Sequence, residues 1–239
     1  MRRTPTRRLT LRGRGLFSGD LCTVTIGPAV PGEGWQWRVR GRWHRLVPEH
    51  LAPLPRRSRL VVADDVLVLP EHLLAALVIC DVDDVRIDVD GGEVPILDGS
   101  AATFVRALRL AGLDCPPSPL RVSAAGVTWS GGPAPALART WIDARHAAAA
   151  RPLFPGARPD TALVIEGGAR RLGARGRRVP QEPAWHKLLD LLGDLGPWRA
   201  LAPLRGHLRV PRPSHDRNPE EISRALSRGA LRFTGELVA

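Results

Sequence analysis

His186, Asp190 and Asp194 follow one another at intervals of four residues, a spacing that on a helix puts all three side chains on one face. A histidine and a carboxylate at i and i+4 can grip one metal ion, by the geometry that lets paired helical histidines do so. Leu188, Leu189, Leu191, Leu192 and Leu195 supply buried surface for such a helix. Taken alone, the spacing also suits a plain helix-surface pair. Composition sharpens the choice. Lys187 is the only lysine among 35 basic residues, in a chain that otherwise uses arginine throughout. A compact ammonium with rotatable donors does not interchange with a planar guanidinium fork. Asn218 is likewise the only asparagine, three residues after His215. Glu71-His72 follows Pro70 at the expected start of another helix, where His72 could ligate and Glu71 could handle a proton. Pro48-Glu49-His50-Leu51 repeats the same letters, but Ala-Pro-Leu-Pro follows it, and it is expected to be a surface loop. Two histidines and an aspartate would leave a fourth zinc position for water, whose pKa zinc lowers to about 7. A neighbouring carboxylate would then serve as general base, and a third histidine as acid toward a leaving amine.

These side chains need a scaffold, and the hydrophobic pattern supplies one. Alternation predicts strands around residues 9–30, at Trp35–Val39, Trp43–Val47, Leu60–Val62, Val66–Val68 and Val85–Val89. Helices are expected over Glu71–Cys80 and Ala101–Ala111. Asp114-Cys115-Pro116-Pro117-Ser118-Pro119 is the best boundary, since its prolines stop the helix and stiffen a linker. Beyond it come a strand over Leu120–Trp129, a helix over Trp141–Ala150, a strand at Ala162–Glu166 and a basic, glycine-rich segment over Gly167–Arg178. Glu182–Leu195 is the strongest helix of this half, followed by a strand at Leu204–Val210 and a helix at Pro219–Ser227. Without a long βαβ rhythm, the class is α+β in two similar units, 1–114 and 115–239, rather than a doubly wound parallel sheet.

Composition bounds the function. The 239 residues are 44% hydrophobic and 25% charged, which excludes wholesale disorder and fibrous or disulfide-stapled scaffolds. The net charge of +11 invites a phosphate-bearing partner: nucleic acid, an anionic membrane or a nucleotide-linked substrate. Free use of arginine codons would give the same excess. A basic nucleic-acid-binding module is disfavoured, because aromatic residues are scarce at 5%, tyrosine is absent and no recognition motif is present. Cys22, Cys80 and Cys115 form no CxxC pair, which fits a reducing compartment better than a secreted framework. The N-terminal arginines precede no apolar run of the signal-peptide kind, and the expected location is cytoplasmic.

Several strings together resemble one family, the UDP-3-O-acyl-N-acetylglucosamine deacetylases, zinc amidases of lipid A biosynthesis. Gly15-Leu16-Phe17-Ser18-Gly19 is similar to its G-L-H-S-G turn, and Pro70-Glu71-His72-Leu73-Leu74 to its V-E-H-L-L. Glu93-Val94-Pro95-Ile96-Leu97-Asp98-Gly99-Ser100-Ala101 resembles E-V-P-I-M-D-G-S-A almost letter for letter. Ala138-Arg139-Thr140-Trp141 resembles A-R-T-F, His186 to Leu195 resembles H-K-I-L-D-x-I-G-D-L, and His215-Asp216-Arg217-Asn218 resembles H-A-L-N. The resemblance implies zinc held by His72, His186 and Asp190, with Glu71 as general base. It implies His215 as the acid toward the glucosamine nitrogen, oriented by Asp194, and Thr140 as donor to the oxyanion. Lys187 would meet polar or anionic groups of an acylated UDP-amino-sugar, and Trp141 could stack on its sugar or nucleotide. The implied fold is two α+β domains, each a helix layer on a small, mainly antiparallel sheet, with the site in the cleft between them. A segment within Ile142–Gly156 would help line an acyl passage. A monomer in transient contact with a membrane surface, without nucleic acid, is expected. Phe17 stands where the family commonly has His, and Arg57 and Arg59 where it has small polar residues, so specificity could differ while the chemistry is kept. A related amidase acting on another N-acetyl sugar or sugar nucleotide is the alternative.

Overall fold

A computed structural model describes residues 2–143, 145–146, 151–158, 161–166, 169–170 and 178–234. Strands β1 (Leu9–Arg14), β2 (Leu21–Gly27), β3 (Trp35–Val39), β4 (Arg42–Arg45) and β8 (Val85–Asp90) form a sheet in the order β1-β2-β8-β3-β4. It is antiparallel except where β3 runs parallel to β8. Alternation does what the sequence requires of it: Cys22, Val24 and Ile26, Trp35, Trp37 and Val39, and Val85, Ile87 and Val89 all turn inward and are buried. The crossover from β3 to β8 carries a three-stranded antiparallel insert, β5 (Leu51–Leu54), β6 (Arg57–Val62) and β7 (Asp65–Val68), and then helix α1 (Glu71–Ile79). Helix α2 (Ala102–Leu110) follows β8.

The second half repeats this plan. Strand β9 (Pro117–Ala124) runs parallel to β14 (Leu204–Val210). Between them come β10 (Val127–Gly131), a small sheet of β11 (Trp141–Asp143), β12 (Leu163–Glu166) and β13 (Ala169–Arg170), and helix α3 (Glu182–Leu201). Helix α4 (Asn218–Ser227) and β15 (Leu231–Phe233) complete a sheet ordered β10-β9-β14-β15. The architecture is thus α+β in two similar units, each with a parallel strand pair whose crossover ends in a helix. Those crossover helices, α1 and α3, pack on each other, and one contiguous hydrophobic core runs from the first sheet through both helices to the second.

Several expectations are corrected. The single strand over Leu120–Trp129 is a hairpin, turning at Ala125-Gly126 where both residues have positive φ. Trp141–Ala150 does not begin as a helix: Trp141–Asp143 is a strand, because it finds a parallel partner in Leu163–Ile165. The run 147–150 lies outside the described residues, as does most of the basic segment at 167–178. Part of the proline linker is strand, since Pro117 and Pro119 occupy the end of β9 that precedes its pairing with β14. Pro48–His50 is a single 3-10 turn that leads straight into β5. Helix α3 continues past Leu195, through Pro197, to Leu201. Gly196 precedes that proline and has no Cβ to clash with the ring.

All nine residues of α1 are buried, as expected of a helix apolar on every side. Its approach to α3 is set by Gly193, where a Cβ would lie 2.3 Å from the carbonyl oxygen of Glu71. Gly193→Ala forces the helices apart, and overpacking of this kind costs about 1–3 kcal/mol. The variant is expected to show a lower denaturation midpoint together with weakened binding of divalent metal. A normal midpoint with normal metal binding would show that the helices do not need this contact.

Candidate metal centre and active site

Helix α1 opens with Glu71 and His72 directly after Pro70, and after Leu69, which is held at a positive φ of 59°. Helix α3 contributes His186, Lys187, Asp190 and Asp194. The close contact at Gly193 brings these two sets together. One donor atom each from His72, His186 and Asp190 all lie within 4.8 Å of one another, and all three residues are buried. The His72 and His186 rings stand nearly perpendicular with centroids 5.3 Å apart, and His186 Nε2 lies 3.4 Å from Asp190 Oδ1.

Electrostatics prepare this group for a cation. Burial and the neighbouring His186 drive His72 down to about 3, so its ring is neutral and keeps a lone pair free. Burial likewise lowers His186. Burial pushes the Asp190 carboxyl up, but His186 and His215 outweigh it and the net shift is downward. Glu71 Oε2 and His72 Nδ1 are buried with no hydrogen-bond partner among the described residues. An unmade buried polar contact costs about 1–3 kcal/mol. A divalent ion and its water would satisfy such atoms, and a donor set of two imidazoles and one carboxylate with an open position suits zinc. The residues present therefore fit the metal that the motifs imply.

Asp194 lies one turn beyond Asp190 but faces elsewhere. His215 Nδ1 is 2.8 Å from Asp194 Oδ2, and Asn218 Nδ2 donates to the same oxygen at 2.7 Å. Ser58 Oγ donates to Asp194 Oδ1 at 2.5 Å and sits 3.1 Å from His215 Nδ1. This leaves His215 Nε2 turned toward the metal group, 3.9 Å from both Glu71 Oε1 and Asp190 Oδ2. Burial alone would lower His215, but Asp194, Asp190 and Glu71 outweigh it and raise the ring to about 10. Glu71 is pushed up to about 8 by burial, with His215 pulling against it and Asp194 adding to it.

Lys187 Nζ is 3.9 Å from Asp190 Oδ2 on a side chain 37% exposed, so its ammonium sits at the rim. Thr140 is half-buried; its N–H donates to Gly99 O at 2.7 Å, inside the Asp98-Gly99-Ser100 string. Neighbouring Arg139 is buried and pairs with Glu182 in the first turn of α3, Nε to Oε1 at 2.9 Å. That pair ties the Thr140 segment to the helix that carries His186. Phe17 takes no part in the metal group: its ring lies 5.1 Å from that of Phe154 and under the Arg57 guanidinium at 3.9 Å. His50, of the repeated tetrad, lies edge-on to Trp37 and away from the metal group. Ser58 was invisible to motif reading, a serine amid arginines. Asn218 did leave a signal, as the only residue of its type.

With this geometry in view, the comparisons are decisive for the family. A family model described as UDP-3-O-acyl N-acetylglycosamine deacetylase matches residues 2–125 and 135–227. The chain belongs to this family. Among its relatives are proteins named UDP-3-O-acyl-N-acetylglucosamine deacetylase from Syntrophotalea carbinolica, 39% identical over 108 residues, and Myxococcus xanthus, 39% identical over 121 residues. A third, from Synechocystis, is 38% identical over 108 residues. These matches cover 44%, 46% and 44% of this chain and 35%, 37% and 39% of the respective relatives, little more than a third of their length.

In the metal-free protein, folding favours the protonated His215 ring. That stabilisation is fully present below about pH 6.5 and is lost as the pH rises through about 10. Asp194→Asn removes the principal charge that favours the proton. An NMR titration of the His215 ring should then move to markedly lower pH, and an unmoved titration would contradict the assigned pairing.

Proposed function

We propose that this chain is a zinc-dependent amidohydrolase that removes the N-acetyl group of a UDP-3-O-acylated N-acetylglucosamine, a step of lipid A biosynthesis. The observation that carries the reading is the convergence of His72, His186 and Asp190 from two helices, with Glu71 and His215 beside them. Zinc held by those three residues supplies Lewis acidity toward water and the amide carbonyl. The other roles belong to side chains. Glu71 accepts the proton of the attacking water. His215, protonated across the neutral range and presenting Nε2 to the site, delivers a proton to the departing amine. Asp194, backed by Ser58 and Asn218, fixes that ring and balances its charge. Thr140 donates to the oxyanion as the carbonyl becomes tetrahedral. Lys187 at the rim meets polar or anionic groups of the UDP-sugar, and Trp141, half-buried at the start of β11, stacks on sugar or base. The protein is proposed to act as a cytoplasmic monomer that touches the membrane surface transiently and binds no nucleic acid. No described helix is long and apolar enough to cross a membrane.

A second reading keeps the chemistry and changes the substrate to an N-acetyl sugar or sugar nucleotide without the long acyl chain. The observation behind it is Arg57: in the β5–β7 insert, next to the site-facing Ser58, it lays its guanidinium over the Phe17 ring, a cation where the resemblance has a small polar residue.

Both readings predict one zinc per chain by metal analysis. Glu71→Ala should retain the metal and lose about 10²- to 10⁴-fold in turnover, the range for loss of a general base. Asp190→Ala should lose the metal. Full activity in the Glu71 variant would remove the assigned base, and a zinc-free wild type that binds random duplex DNA in a salt-dependent way would replace the enzyme with a nucleic-acid module. Deacetylation of acylated and unacylated UDP-N-acetylglucosamine, measured side by side, separates the two substrates.

A further inference from the structure

Cys80 caps the C-terminal end of α1, and Cys115 lies in the segment between α2 and β9. Their Sγ atoms are 3.4 Å apart, a contact between two free thiols that are 35 residues apart in sequence. Cys80 is fully buried, while Cys115 is half-buried. The backbones on either side are clamped by one guanidinium: Arg3 Nη2 donates to Cys80 O at 3.2 Å and to Asp114 O at 2.8 Å. The third cysteine, Cys22, is buried in β2, where its Sγ faces Asp20 O at 3.6 Å.

We propose that Cys80 and Cys115 form a reversible dithiol–disulfide site, with low-molecular-weight disulfides as its oxidants and thiols as its reductants. Neither sulfur belongs to the metal centre, so the site stands independently of the proposed deacetylation. Cys115 attacks first. It receives the hydrogen bond of the Cys80 thiol, which together with the charge of Arg109 draws the Cys115 thiol below its ordinary range; the same bond and burial hold Cys80 up. The Cys115 thiolate attacks one sulfur of oxidised glutathione, giving a Cys115–glutathione mixed disulfide and releasing one glutathione thiolate. Cys80, freed from its donor role, transfers its proton to solvent and attacks Cys115 Sγ, expelling the second glutathione. Two protein thiols are oxidised, one small disulfide is reduced to two thiols, and the released protons end on those thiols. Bond formation brings the sulfurs from 3.4 Å to about 2.05 Å.

Cleavage at arginine places each cysteine on its own peptide, residues 15–38, 60–86 and 110–121. The reduced full chain, incubated with oxidised glutathione and then alkylated, is expected to lose two of its three thiols. Peptides 60–86 and 110–121 should be joined, peptide 15–38 should be alkylated, and dithiothreitol should restore all three thiols. In Cys80→Ser, glutathione should remain on Cys115; in Cys115→Ser, Cys80 should resist modification until the protein is unfolded. Three alkylated thiols in the oxidised wild type, a mixed disulfide that persists on its Cys115, or chains joined to each other through Cys115 would each overturn the proposal.

Discussion

The nearest approach of α1 to α3 governs everything built around it. Each helix carries part of the chemistry: Glu71 and His72 on one, His186, Asp190 and Asp194 on the other. Imidazoles and carboxylates are short, so their donor atoms meet only where the two helices run close together. Gly193 sits between Asp190 and Asp194 and lets the backbone of α3 touch the Glu71 carbonyl. Leu188, Leu189, Leu191, Leu192 and Leu195 on α3, and Leu73, Leu74 and Leu77 on α1, are buried around this contact and hold it in place. The apolar core supplies the force, and the missing side chains of Gly193 and Gly196 set the distance.

Within that narrow space the polar groups divide into a closed half and an open half. Asp194 accepts from Ser58 and Asn218 and pairs with His215, so its charge is balanced inside the protein. Glu71 and His72 each retain an atom that no described residue meets. Isolated buried charge is costly, and the cost falls when each ionised group has a partner. Asp194 has protein partners; the atoms of the open half call for a cation and water. Three residues at helical spacing of four therefore meet different surroundings: His186 and Asp190 lie with His72, while Asp194 is paired with His215, Ser58 and Asn218.

Sequence reading reached the strongly periodic parts of this fold. Val85–Val89, Leu204–Val210 and the starts of α1 and α3 lie where alternation, Pro70 and the leucine stretch place them. The facing of His186 and Asp190 was legible because a helix fixes it locally. What escaped depended on distant partners. Trp141–Asp143 is extended only because Leu163–Ile165 lies alongside it, and nothing within the tripeptide announces that pairing. Ser58 acquires its place because the β5–β7 insert folds back over α3, a contact spanning 136 residues. Helix α3 outran its expected end because Pro197 normally signals a stop, and the adjacent glycine relieves the clash that makes it one. The roles of the individual site residues rest on resemblance; what the structure adds is that His72, His186, Asp190, Glu71 and His215 lie close together.

The continuity of the interior across both sheets has a thermodynamic corollary. The helices that would cap two separate modules are here the shared middle layer of one apolar interior. Exposing either face strips solvent protection from α1, all of whose residues lie inside. An opening that separates one half from α1 therefore also disturbs the layer that the other half packs against, and the amide protons along α1 are expected among the slowest to exchange. The boundary near the proline run divides the chain's topology but not its apolar interior.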